Sequence, residues 1–285
     1  MKTIILSDIS NSADTIIPYG LRLAVALESE VDVLHVIDPR THQGSYSSVS
    51  DSQSISPGKT RSHEETIKHE KERISKEMDK LLSGEGSRLN YPLKINRLVV
   101  ENSLEEELEH RIKLNPGCLL IVNAVADGEM LEDTAEIVRL TRKLGVPTVV
   151  VPPGEKFKNF TDVLMPLNLE TNDYSPVRDL KFLFDHFKMT VDAVGVASNG
   201  DYTELELKAI AWKDVAKEFV LPNSNVKTNI LEGKDFINTV NNYFHRNKLD
   251  LLIMVNDSND TKSAVSNTIQ FLNTVNSPTL VYFSN

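Results

Sequence analysis

The chain has 285 residues, 40% of them hydrophobic and 25% charged, with 31 Lys and Arg against 41 Asp and Glu. These are the proportions of folded globular domains and exclude wholesale disorder, while a net charge of −10 argues against broad contact with nucleic-acid phosphates or anionic membranes. The single cysteine, Cys118, excludes an intrachain disulfide; no apolar run is long enough to span a bilayer, and the N-terminus lacks a signal peptide's basic region and cleavage site, so a cytoplasmic location is expected.

Thr3-Ile4-Ile5-Leu6-Ser7 predicts a buried strand, followed by the polar turn Asp8–Ser12. Asp8 and Ser10 therefore stand at the C-terminal end of the first strand, where open α/β sheets hold ligands. Ile16, Ile17, Leu21, Ala24, Val25 and Leu27 recur at helical spacing, and Val31–Ile37 is the second strand, stopped by Asp38-Pro39. A strand, a helix and a strand in this order require a right-handed crossover and a parallel pair. His35, inside the second strand, reads as a packed residue rather than a general base.

Residues 38–62 turn to Ser, Gln, Gly and Asp with few large apolar side chains, the composition of a mobile loop. Gly58-Lys59-Thr60 matches the end of a phosphate-binding loop, but Gln53 stands where that motif has Gly, and no strand precedes it. His63–Leu82 is a charged amphipathic helix. Its His63 and His69 are six apart, whereas a zinc pair on a helix needs four, so they read as part of a solvated face.

Leu93–Val100 is the third strand. Asn102-Ser103 caps the helix Leu104–Leu114, and Glu105, Glu106 and Glu107 in its first turn suit the helix dipole. Cys118 opens the fourth strand, Leu119–Asn123, and reads as a packed thiol. A helix over Leu131–Leu144 stops at Gly145, and Val146–Val151 forms the fifth strand.

The order then repeats, with strands at Asp162–Asn168, Thr190–Val196, Val226–Leu231, Leu249–Asn256 and Thr279–Phe283. Helices fall at Ser175–Phe187, Thr203–Val220, Lys234–Asn247 and Lys262–Val275. Val36 matches Val196 at an offset of 160 and Glu101 matches Glu232 at an offset of 131; the surplus of 29 residues falls on the Ser-rich stretch. Trp212, near Ile210 and Val215, reads as core or interface. The pattern predicts an α/β tandem duplication: residues 1–153 and 154–285, each an open, mainly parallel five-stranded sheet with flanking helices.

These stretches resemble the universal stress protein family in a tandem two-domain form. Lys2–Ser10, with its strand ending in Asp-x-Ser, is similar to the family's first strand and turn, and Leu34-His35-Val36-Ile37-Asp38 to its second strand. Val146–Val151 and Ser277–Val281 are similar to its Pro-led closing strand. The resemblance implies that the two sheets pack as an internal pseudo-dimer through closing strands 147–151 and 278–283. It leaves open a further homodimer and an unknown protein partner.

Members that bind ATP carry Gly-x2-Gly-x9-Gly-[Ser/Thr] after the fourth strand, where glycines let backbone amides reach phosphate at a helix N-terminus. In this register Asn123 and Ala126 take the first two Gly positions and Glu136-Ile137 the last pair; in the second half Asn256, Asn259 and Ile269-Gln270 do so. Neither copy keeps the motif. Asp8 and the backbone of Val36 remain the contacts that the resemblance implies for ribose and adenine, whereas the second half has Asn168 in place of the Asp. The expectation is a non-enzymatic stress-response or regulatory scaffold with a degenerate nucleotide site, no cofactor and no metal. The alternative is an ATP-binding protein with slow ATPase activity, using Asp8, Ser10, Val36, Asn123 and Ala126.

Overall fold

A computed structural model describes residues 1–9, 13–40, 63–89, 92–124, 130–131, 133–167, 169, 174–197, 202–257 and 262–284. Ser10, Ala126, Asn168 and the Ser-rich stretch from residue 41 to 62, with its Gly58-Lys59-Thr60, lie outside the described residues. The first half runs β1 (Lys2–Leu6), α1 (Ala13–Ala26), β2 (Glu30–Ile37), α2 (His63–Gly86), β3 (Ile95–Glu101), α3 (Leu104–Leu114), β4 (Leu119–Asn123), α4 (Thr134–Leu144), β5 (Thr148–Val151). The second runs β6 (Asp162–Pro166), α5 (Ser175–Asp179), α6 (Lys181–His186), β7 (Thr190–Ala197), α7 (Tyr202–Val215), β8 (Asn225–Glu232), α8 (Phe236–Asn247), β9 (Leu251–Asp257), α9 (Lys262–Thr274), β10 (Thr279–Ser284).

Two five-stranded sheets were the expectation; the structure has one sheet of ten strands, in the order β3-β2-β1-β4-β5-β10-β9-β6-β7-β8. All neighbours are parallel except β5 and β10, which pair antiparallel with Leu280 opposite Val149. The physical reason is edge satisfaction. Thr148-Val149-Val150-Val151 and Thr279–Ser284 are buried, β-branched or aromatic strands, and leaving their ladder groups unpaired would cost both halves hydrogen bonds and burial.

Alternation along each strand feeds two cores that cross this seam. Ile5, Val33, Ile121 and Val149 join Val163, Val191, Ile253 and Leu280 on one face. Ile4, Leu34, Leu120 and Val150 join Leu164, Val194, Leu252 and Val281 on the other. Helices cover both faces, as a parallel sheet requires. Gly20 lets α1 approach β1 closely, since a Cβ there would meet Ile5 Cδ1 at 2.6 Å.

The register supports duplication at the level of single residues. Lys2 pairs with Glu30 as Asp162 pairs with Thr190, an offset of 160 kept across both strands. The fourth strands follow an offset of 132, with Thr3 opposite Leu119 and Val163 opposite Leu251, so Val255 rather than Asn256 corresponds to Asn123.

Three helices depart from the sequence reading. Helix α2 runs on to Gly86. The stretch 175–187 breaks at Leu180, where the chain tightens to i→i−3 bonds, Leu180 N to Val177 O at 3.1 Å and Leu183 N to Leu180 O at 2.9 Å. Helix α7 ends in a π-helical turn, Ala216–Val220. Trp212 is 7% exposed and stacks with Tyr174, whereas Ile210 is 46% exposed and lies off its face.

Candidate functional site

The strand order reverses between β1 and β4, so the C-terminal ends of these strands and of β2 frame the crevice where open α/β sheets take ligands. Asp8 and Asn123, both half-buried, follow β1 and end β4 respectively. Ile9, after Asp8, holds φ 55°, a left-handed conformation rare for a β-branched residue. Its amide donates to Ser7 Oγ at 3.4 Å.

The adjoining cavity, about 570 Å³, opens over the end of β2 between α3 and α4. Val36 and His35 line it together with Met130; Asp8 and Asn123 are not among its lining residues. His35 Nδ1 stands 2.9 Å from Ser7 O, and because a carbonyl only accepts, Nδ1 carries the proton and the ring is fixed against β1. This is the packed histidine that its strand position predicts.

The Val36 amide, which the resemblance assigns to a base, donates to Met130 Sδ at 3.3 Å. The N-terminus of α4, the element that would meet phosphate, is capped from within: Asp133 Oδ1 accepts from Glu136 N at 2.8 Å. Six carboxylates, among them Asp38, Glu105 and Glu136, line the cavity against the cations Arg40, Arg139 and Lys143. Those cations are engaged. Arg40 pairs with Asp38, Arg139 with Glu105 at 3.6 Å, and Lys143 with Glu105 and with Glu109 at 2.9 Å.

In the second half the residue at the offset of His35 is Gly195, and Leu169 fills the space, its Cδ1 2.7 Å from where a Gly195 Cβ would stand. Asn256 is buried and its amide donates to Thr268 Oγ1 of α9 at 3.2 Å. Among the described residues no cluster of three or more His, Cys, Asp or Glu is placed to hold a metal, and no helix is long and apolar enough to cross a membrane. Cys118 is 1% exposed, and burial pushes its thiol up to about 11, which keeps it protonated and unreactive near neutrality.

Sequence reasoning reached Val36, Asp8 and Asn123 but missed Met130 and Asp133. Met130 meets Val36 across 94 residues of sequence and carries no local signal. Asp133 had one: an Asp three residues before Glu136 at the head of an apolar-periodic run is a helix-start signature.

No protein-family model matches the sequence, and no curated protein does. Solved structures are similar over almost the whole chain. A universal stress protein from Archaeoglobus fulgidus DSM 4304 matches at a TM-score of 0.65 and 11% identity, over 100% of this chain and 96% of that one. A functionally unknown protein from Pseudomonas aeruginosa PAO1 matches at 0.52 and 13%, over 99% and 92%. The cytoplasmic domain of a prokaryotic cation chloride cotransporter matches at 0.52 and 11%, over 99% and 95%. The chain thus has a universal-stress-protein-like α/β fold. Along the chain a five-stranded βα run occurs twice, and the two runs are joined in one sheet.

Proposed function

We propose that this protein is a universal-stress-like, non-enzymatic binding or regulatory scaffold of the stress response, located in the cytoplasm, whose nucleotide site is degenerate. The observation that carries the reading is internal occupation of the nucleotide's contacts. The Val36 N–H is given to Met130 Sδ and the α4 N-terminus to Asp133. A polyphosphate would have to displace Asp133 and enter a cavity where carboxylates outnumber cations two to one, against both local charge and the missing glycines.

In the same reading, residues 1–153 and 154–285 act as a fixed internal pseudo-dimer. The antiparallel pairing of β5 with β10 and the Thr134 Oγ1 to Asn273 Oδ1 hydrogen bond at 2.8 Å between α4 and α9 support it.

Isothermal titration of the purified chain with Mg-ATP, beside mass spectrometry for a co-purified ligand, tests the proposal. The expected outcome is no binding below millimolar and no retained nucleotide. Sub-millimolar binding lost in Asp8→Ala would replace it with an ATP-binding function.

A further inference from the structure

A second cleft, about 300 Å³, opens on the seam where the chain leaving β5 passes the start of β10, and it shares no lining residue with the His35–Met130 cavity. Tyr19 of α1 is among its lining residues. The ring packs edge-on against Phe157, centroids 5.5 Å apart, and the residue is 1% exposed. Its hydroxyl has no hydrogen-bond partner among the described residues. A buried phenol without an acceptor is unfavourable, so a polar group entering the cleft gains a donor that nothing else in the described chain satisfies.

Burial first, then the charges of Glu155 and Asp250, push the Tyr19 hydroxyl far above its ordinary range, so it stays a protonated donor.

The lining supplies the complementary charge. Lys156, Lys158 and Lys248 border the cleft, and none has an ion pair among the described residues. Lys248 holds φ 52° at the C-cap of α8, a left-handed position that ordinarily goes to Gly or Asn. Of the two acids present, Asp250 is already engaged, its Oδ2 accepting from Thr161 N, Thr161 Oγ1 and Asp162 N at 3.0, 2.7 and 3.2 Å.

Across the seam the corresponding position is occupied differently. At the offset of 160 the counterpart of Tyr19 is Asp179, which accepts from Tyr282 Oη at 2.8 Å. Tyr282 has its acceptor; Tyr19 has none among the described residues.

We propose that the seam cleft binds a small oxyanion, a phosphate- or carboxylate-bearing metabolite, with the Tyr19 hydroxyl donating to it and Lys156, Lys158 and Lys248 balancing its charge. Isothermal titration of the full chain with inorganic phosphate, and separately with succinate, against sodium chloride at matched ionic strength tests this.

Saturable 1:1 binding of one probe is expected, and which probe binds separates phosphate from carboxylate. Affinity should fall tenfold or more in Tyr19→Phe and in Lys156→Ala/Lys158→Ala/Lys248→Ala. The three lysines are exposed, so their variant folds whatever becomes of the buried tyrosine. Binding of neither probe beyond the chloride control, or binding undiminished in the lysine variant, overturns the proposal.

Discussion

Asp32 and Asp192 occupy the same ladder position in the two halves, opposite Ile4 and Leu164, and both are buried. Their surroundings have diverged. Asp32 is held by Asn96 Nδ2 at 2.7 Å, Lys2 Nζ at 3.2 Å and Arg111 Nη1 at 3.4 Å. Asp192 Oδ2 instead accepts from Tyr243 Oη at 3.1 Å, which itself accepts from Asn229, and burial together with Asp192 pushes that tyrosine up to about 12. A buried carboxylate that loses its guanidinium keeps its desolvation cost, so Arg111→Met should lower the unfolding free energy in urea by about 3 kcal/mol. Arg111 also holds the buried Glu107, its Nη2 2.6 Å from Glu107 Oε1, so Asp32→Asn added to Arg111→Met should restore only part of that loss, and Asp32→Asn with Glu107→Gln most of it. A single variant within 0.5 kcal/mol of wild type would mean that Lys2 and Asn96 suffice. None of this was legible in the sequence: Asp32 and Asp192 stand inside apolar strands with no local partner, and Arg111 reaches Asp32 from 79 residues away.

At the scale of elements, helix α4 joins stability to the site. Asp133 caps it and Gly145 ends it at φ 59°, its N–H donating to Thr141 O. Asp133→Ala should cost about 1 kcal/mol and Asp133→Asn close to nothing, because either side-chain oxygen accepts from the Glu136 amide; chemical denaturation of the two variants checks the difference. Equal losses in both would mean that the carboxylate acts through its charge on the helix end instead. Most elements were legible because their signals are local: apolar runs, Gly145, the Ser103 cap and the Pro-led closing strands. What failed was what depends on distant packing. Leu180, buried at 0% exposure, breaks one helix that periodicity alone joins, and the union of two five-stranded sheets into one rests on a strand pair separated by more than a hundred residues. The candidate site divides in the same way: strand ends were found, while the side chains that occupy their donors were not.

For the whole molecule, the continuous sheet has a thermodynamic consequence. Both cores cross the β5–β10 seam, so separating the halves would expose two apolar strands and strip burial from each face at once. Unfolding should therefore be a single cooperative transition rather than two. The composition supplies one reporter for each half: the only Trp, Trp212, is buried in the second, and the only Cys, Cys118, is buried in the first. Trp212 fluorescence and the reactivity of Cys118 toward a thiol reagent, followed along one urea series, should give coincident midpoints. A charge placed in the seam, as in Leu280→Asp, should move the two midpoints apart, since each half keeps its own parallel ladder once the shared pair is lost. Separate midpoints in the wild-type chain would mean that the seam contributes less than each half's own core, and the two halves would then be neighbours in one sheet without being one folding unit.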